Sequence, residues 1–332
     1  MSSYRLFGAE TSPYSLKVRS FLRYKGVDFE WIARSAETDE AFQAEASVPT
    51  LPLLLSPNRP ASQDSTHILA ALETDLSEPN VIPEDKALAS LALVLEDYAD
   101  EWLSKLMFFY RWGGKPDRED AGERTMEQLF QGNLPRAKKR TRDEIAKKMR
   151  GYLPLIGIEK KNEKVLKRSF ETLFQHLETH LQAHKFLFGG RPSVADFAFS
   201  GQISQLLRDP TPAAWLSENA PAVVAWASAM DAPVADGPFA TLDDLKTTLL
   251  PLFLEEVAIS YLPWAAANLT AAEAKSERMD ASIGGQAFAQ VTQQYAARSF
   301  RTVVKAVAAS AATEASLTEF LEAAVMKDAF AA

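Results

Sequence analysis

The chain has no cysteine among its 332 residues. That excludes protein-thiol redox chemistry, thiolate metal sites and the disulfide frameworks on which small secreted domains depend. Histidine is scarce, with only four. Three of them, His176, His180 and His184, recur every fourth residue and share one helix face. Two at that spacing can chelate zinc, but a zinc site needs further ligands and a supporting shell. The stretch also lacks the Glu that a metalloprotease pattern sets beside its first His, so no metal is expected. Long apolar runs are missing too. The uncharged apolar run Val257 to Ala272 is too short to span a bilayer and is interrupted by Pro263, Asn268 and Thr270. The first ten residues have neither the basic flank nor the apolar stretch of a signal peptide. A net charge of −8 argues against general nucleic-acid binding. Between Arg136 and Arg168 basic residues outnumber acidic ones, but aromatics are sparse there. A solvated helix pair fits that composition better than a phosphate site does.

Hydrophobic residues make up 47% of the chain and charged residues 24%, ample for more than one packed core. The first eighty residues mix periods. Tyr4 to Gly8 reads as a strand, and Tyr14, Val18, Phe21 and Leu22 then mark one face of a helix that ends at Gly26. A strand over Val27 to Ile32 follows, then a helix from Thr38 to Glu45, an apolar strand from Leu51 to Leu55 and a helix from Asp64 to Thr74. The order β-α-β-α-β-(β)-α predicts a small α/β unit with a mixed sheet.

Beyond Pro83 the strand signals stop. Leu88, Leu91, Leu95, Tyr98, Trp102 and Leu106 keep a helical period up to Gly113-Gly114. A long helix spans Glu159 to Lys185. Ser193-Val194-Ala195-Asp196 has the S-x-x-D form of a helix start, and Pro221 opens another helix. Asp231 to Pro238 reads as a boundary, and the Ala-rich remainder reads as helical with a turn near Ser282 to Gly285.

Three local patterns carry chemistry. Ser12-Pro13-Tyr14-Ser15 stands between a strand and a helix, where redox folds keep Cys-Pro-Tyr-Cys; here both thiols are replaced by hydroxyls. Ser12 is a good N-cap and Pro13 suits the first helical position, which is a complete structural account by itself. The same helix end also offers free N–H groups and a positive dipole to a bound thiolate. A free thiol is only about 3% ionised at pH 7. A hydrogen bond to a charged group contributes roughly 1.5–3 kcal/mol, about one to two pKa units. One hydroxyl plus the dipole therefore makes a bound thiolate the major species. In the second pattern, Val48-Pro49 enters the third strand; a cis bond there would turn the Val48 N–H and C=O toward a peptide-like ligand. The plain alternative is a proline at a strand start. In the third, Asp64-Ser65 opens a helix. Ser65 offers an anion site and Asp64 an acceptor for an ammonium, although an ordinary cap looks the same.

Taken in order, Ser12-Pro13-Tyr14, Val48-Pro49, Asp64-Ser65 and the Gly190 to Asp196 stretch resemble the glutathione S-transferase superfamily over residues 1 to about 235. The resemblance implies a thioredoxin-like domain over 1–80, a helical substrate-side domain over 84–235 and a helical C-terminal extension over 240–332. It implies binding of glutathione as co-substrate, without a metal, and a homodimer in the cytoplasm that takes part in detoxification. Ser12 would face the glutathione sulfur, with Tyr14 as the reserve, and Pro13 would help shape that site. Val48 and Pro49 would meet the cysteinyl backbone, and Asp64 and Ser65 the γ-glutamyl end. Members commonly carry Glu or Gln before that Ser, so Asp64 is a shorter substitute. Tyr4 lies near the catalytic Tyr of some classes but sits within the first strand, which favours Ser12. Phe108, Phe109, Tyr110, Arg111 and Trp112 form an aromatic patch suited either to an apolar electrophile or to interdomain packing. A non-catalytic ligand-binding or scaffold protein on the same fold is the alternative.

Overall fold

The computed structural model describes residues 4–76 and 78–331; the outer limits of the expected units, residues 1 and 332, lie outside them. The N-terminal part runs β1 (Tyr4–Gly8), α1 (Pro13–Tyr24), β2 (Phe29–Ala33), α2 (Asp39–Glu45), β3 (Leu53–Leu55), β4 (Ser62–Gln63) and α3 (Ser65–Asp75). The sheet order is β2-β1-β3-β4, with β1 parallel to β2 and antiparallel to β3. This is the expected thioredoxin-like unit with a mixed four-stranded sheet. Alternation sorts the β1 side chains: Leu6 packs with Val18, Phe21 and Ile68, while Phe7 packs on the opposite face with Phe42 and Leu53.

The helical part begins with one long rod. It comprises α4 (Lys86–Asp97), a π-helical turn at Tyr98–Leu103 and α5 (Ser104–Gly113). After it come α6 (Lys115–Phe130), α7 (Lys138–Tyr152), α8 (Glu163–Ala183), α9 (Val194–Leu206), α10 (Pro210–Asn219) and α11 (Pro221–Ala229). The S-x-x-D signal is a true capping box at the start of α9. Asp196 accepts from the Ser193 N–H at 2.8 Å and reaches back to the Leu187 N–H at 2.9 Å. Glycine lets α9 lie against α1, because a Cβ on Gly201 would fall 2.5 Å from the Pro13 carbonyl oxygen.

The C-terminal part corrects one expectation. It contains α12 (Leu242–Leu252), a π-helical turn at Phe253–Tyr261 and α13 (Leu262–Glu273), but then an antiparallel hairpin of β5 (Arg278–Ile283) and β6 (Gln286–Val291), before α14 (Gln294–Ala311) and α15 (Ala315–Ala323). It is therefore not wholly helical. Gly284 and Gly285 both have positive φ, the conformation a tight two-residue hairpin turn demands. The continuous helix Leu242–Glu273 is long and apolar enough to cross a membrane by length and composition. Here Leu249, Phe253, Val257 and Trp264 are buried against the rest of the chain.

The two π-helical turns meet through polar side chains. Tyr98 donates to Glu256 at 2.9 Å, and Tyr261 and Ser299 both donate to Asp97. Trp102 packs on Trp264 and Phe288, so the C-terminal part shares its core with the helical part.

The histidine face is structural. His180 is fully buried, with Nδ1 2.8 Å from the Thr248 hydroxyl and Nε2 3.0 Å from the Leu187 carbonyl oxygen. A carbonyl only accepts, so Nε2 carries the proton and the ring sits neutral. Burial, with the neighbouring His184, holds its pKa down at about 4. A depressed histidine stabilises the fold above its unfolded value, and that contribution is lost as pH falls toward the folded value. Lowering the pH from 7.5 to 4.5 is therefore expected to cost the protein about 2–3 kcal/mol more than it costs His180→Gln. Paired denaturant titrations at the two pH values measure that difference.

Candidate functional site

The starts of α1 and α3, the approach to β3, the long rod and the start of α14 together enclose a cleft of about 840 Å³. That lies within the range of about 300–1,000 Å³ usual for small-molecule sites. One wall is polar and comes from Asp64, Ser65, Asp100, Glu101, Ser104 and Lys105. The other is apolar and comes from Leu51, Phe108, Met149, Tyr152 and Ile156.

Asp64 and Ser65 are both on the wall. Asp64 is the N-cap of α3 with φ 76° and ψ 114°, a conformation that costs a non-glycine residue energy and recurs at functional sites. Its carboxylate accepts from the Thr66 N–H at 3.1 Å and from the Tyr295 hydroxyl, with His67 Nδ1 a further 3.1 Å neighbour. Ser65 is buried, and its hydroxyl has no partner among the described residues, so it remains open to a ligand.

The approach to β3 differs from the expectation. The cis bond is Leu51-Pro52, three residues beyond Val48-Pro49. The Val48 N–H donates to Gln63 Oε1 at 3.0 Å, and Gln63 Nε2 donates to the Val48 carbonyl at 2.8 Å. Both Val48 backbone groups are therefore taken by a side-chain amide of the protein itself. Gln63 also donates to the Thr50 carbonyl at 2.7 Å, which ties the whole segment to β4. Pro49 does not line the cleft, and its carbonyl accepts from Arg34 at 2.9 Å. Leu51 does line it, and its backbone N–H and C=O have no partner among the described residues.

At the first helix, Ser12 caps α1 by accepting from the Ser15 N–H at 3.2 Å. It is half-buried and is not among the residues that line the cleft. Pro13 is buried behind it. Tyr14 does line the cleft, but its hydroxyl donates to the Asp100 carbonyl at 2.8 Å. Burial, then the Glu101 and Asp100 carboxylates, push its pKa well up, so the phenol stays protonated.

Of the five aromatic-patch residues, only Phe108 reaches the cleft. Phe109 and Tyr110 meet edge to face, and Tyr110 packs on Phe170. Trp112 is buried. Arg111 is buried in an ion pair with Asp209 at 3.1 Å and donates to the Thr11 carbonyl at 3.1 Å. It anchors the turn before Ser12. Packing explains the patch, apart from its first residue.

Behind the polar wall, Lys17 is buried between Glu96 and Asp100, each at 2.7 Å. Burial works against its charge, but the two carboxylates outweigh that and hold it above the ordinary lysine value. Much of the lining carries no signal in the sequence, Asp100, Glu101, Lys105 and Tyr295 among it. Glu101 and Lys105 lie on a rod whose apolar period dominated, and the π-helical turn that re-aims them leaves no local signal. Tyr295 is far away in sequence. Among the described residues no group of three or more His, Asp or Glu side chains is placed to hold a metal ion.

Sequence comparison agrees with this geometry. Residues 6–80 match the profile of the glutathione S-transferase N-terminal domain, and residues 142–229 match that of the C-terminal domain. The chain belongs to the glutathione S-transferase superfamily. A curated relative, glutathione S-transferase U17 of Arabidopsis thaliana, is 25% identical over 136 residues, or 40% of this chain and 58% of the plant protein. The match thus spans little more than half of that relative's length. Among solved structures, a GST-like protein from Pseudomonas syringae is 19% identical, with a TM-score of 0.47 over 69% of this chain and 67% of that one. A glutathione S-transferase from Methylobacterium radiotolerans, solved in complex with glutathione sulfonate, is also 19% identical, with a TM-score of 0.41 over 72% of this chain and 97% of that one.

Proposed function

We propose that the protein is a glutathione transferase-like enzyme, which binds glutathione, stabilises its thiolate and directs it at a small apolar electrophile. The division into a glutathione-binding unit (1–80), a substrate-side unit (84–235) and an extension (240–332) is part of this proposal. So are the homodimer, the cytoplasmic setting and the detoxifying role. The reading rests on one observation: the start of α1, the Leu51-Pro52 approach to β3 and the Asp64-Ser65 start of α3 converge on a single cleft.

In this reading Asp64 accepts from the γ-glutamyl ammonium, while Ser65 and the first amides of α3 hold its carboxylate. Leu51 takes the pairing with the cysteinyl backbone first expected of Val48, because its N–H and C=O are free. Ser12 and the N-terminal dipole of α1 stabilise the thiolate. The thiol proton leaves to solvent, a carbon–sulfur bond forms, and the leaving group departs with its electron pair.

Retention on immobilised glutathione tests the first half. Ser12→Ala is expected to keep retention and to lose about tenfold in conjugation rate at pH 7 toward a chlorodinitrobenzene, through loss of one charge-assisted hydrogen bond. An unchanged rate removes Ser12 from the mechanism. The second reading, a non-catalytic binder or scaffold, is favoured by Tyr295 on Asp64 and by Ser12 lying outside the cleft lining. Absence of retention decides for it.

A further inference from the structure

The floor of the cleft carries more acid than its neighbours neutralise. Asp100 and Glu101 lie side by side on the π-helical turn, with Asp64 across the cleft and Glu96 behind. Two lysines stand against these four carboxyls, and one of them, Lys17, is already shared by Glu96 and Asp100.

The other, Lys105, turns away. Its Nζ lies 4.4 Å from the centre of the Trp264 ring and donates to the Ile156 carbonyl at 3.4 Å. Glu101 is consequently left without an ion-pair or hydrogen-bond partner among the described residues, although it lines the cleft. Asp100 is only 8% exposed, also lines the cleft, and its Oδ1 has no partner either. A buried carboxyl lacking a partner is costly, and a bound cation relieves that cost. Burial raises the Glu101 pKa and lowers that of Lys105, each group being drawn toward neutrality. The groups facing Glu101 are Asp97, Asp100 and Lys105 on its own rod and Asp64 from the start of α3.

Above this floor stand Phe108, Met149, Tyr152 and Ile156. A metal ion does not suit the place, since no three ligating side chains converge there among the described residues. An organic cation does. We propose that this half of the cleft binds an amphiphile whose aromatic or apolar body lies against Phe108, Met149, Tyr152 and Ile156, and whose primary ammonium pairs with Glu101. The inference rests on the transferase reading only in making this amphiphile the second substrate; cation binding itself needs no glutathione.

The test uses the full chain and a matched pair of probes, phenylbutylammonium and phenylbutanol, which share a body and differ in charge. Calorimetric titration at pH 7.5 is expected to give an affinity at least about tenfold higher for the ammonium. That preference is expected to vanish in Glu101→Gln, a near-isosteric change that leaves the Lys17 network intact. Equal affinities in the wild-type protein, or a preference that survives in Glu101→Gln, overturn the proposal. Retention on immobilised glutathione separates the two readings. An ammonium preference in a protein that glutathione does not retain sinks the transferase reading and upholds this one. Loss of glutathione retention in Glu101→Gln, with no ammonium preference in the wild type, assigns the acids to the ammonium of glutathione and overturns it.

Discussion

Replacing Arg111 by leucine is expected to lower the unfolding free energy by about 3–5 kcal/mol, a large change for a single side chain. Arg111 and Asp209 are almost fully buried, at 4% and 0% side-chain exposure, so removing one partner leaves the other charged in a poorly solvating interior. The loss extends beyond the pair. Arg111 Nη2 also donates to the Gln205 side chain at 2.6 Å and to its backbone carbonyl at 3.2 Å, and Nη1 donates to Thr11. Three segments distant in sequence thus meet at one guanidinium. Arg124 remains against Asp209 in the variant and offsets part of the damage, so the lower half of the range is expected. Urea unfolding of the wild type, Arg111→Leu and the double variant Arg111→Leu/Asp209→Leu measures it. The double variant should recover part of that stability relative to the single one, because no carboxylate is then buried without Arg111, while Arg124 loses Asp209 but keeps its pair with Asp120 at 2.7 Å. A loss below about 1 kcal/mol in the single variant would mean that the pair is solvated.

Arg111 also illustrates what the sequence could and could not convey. Its place in an aromatic run was legible; its partner Asp209 was not, because the pairing is made by tertiary packing between distant helices. Local signals fared better. The amphipathic period of α1, the capping box at Ser193 and Asp196 and the Asp64 cap each depend on a few neighbouring residues, and each stands where its pattern placed it. The approach to β3 offered two X-Pro steps, Val48-Pro49 and Leu51-Pro52, and the residue types alone did not say which one meets the sheet. The register says it. Leu53 pairs with Phe7 and with Gln63, so the turn into the strand ends at Pro52, and the Gln63 side chain is left free to close on Val48. The β5–β6 hairpin was hidden by the alanine-rich helices on both sides. Its signal was present in the alternation of Met279, Ala281 and Ile283 before Gly284-Gly285. Glu101 was illegible for another reason: a π-helical turn shifts which residues of a rod face a cleft, and only the fold reveals the shift.

Two substitutions at the mouth of the cleft are expected to move glutathione affinity in opposite directions. Asp64→Asn keeps a side-chain oxygen for the Thr66 N–H and a residue type that tolerates positive φ, but it removes the charge offered to an ammonium. A hydrogen bond to a charged group contributes roughly 1.5–3 kcal/mol, so binding is expected to weaken about tenfold to a hundredfold. Tyr295→Phe acts on the other side of the same carboxylate. In the free protein the Tyr295 hydroxyl already donates to Asp64 Oδ2, the oxygen next to His67. Partial burial and then the Asp64 carboxylate push that phenol far above the ordinary tyrosine pKa, so it persists as a donor and competes with an incoming ammonium at any working pH. Deleting the hydroxyl returns an acceptor site to the ligand, and affinity is expected to rise by about tenfold, in keeping with the lower end of the roughly 1.5–3 kcal/mol that a hydrogen bond to a charged group contributes. Fluorescence titration with glutathione measures both. The opposite signs matter more than the sizes, because a general loss of folding weakens binding in both variants. If Tyr295→Phe instead weakens binding, the hydroxyl holds Asp64 in its binding pose, and the C-terminal part helps to build the glutathione site rather than competing for it.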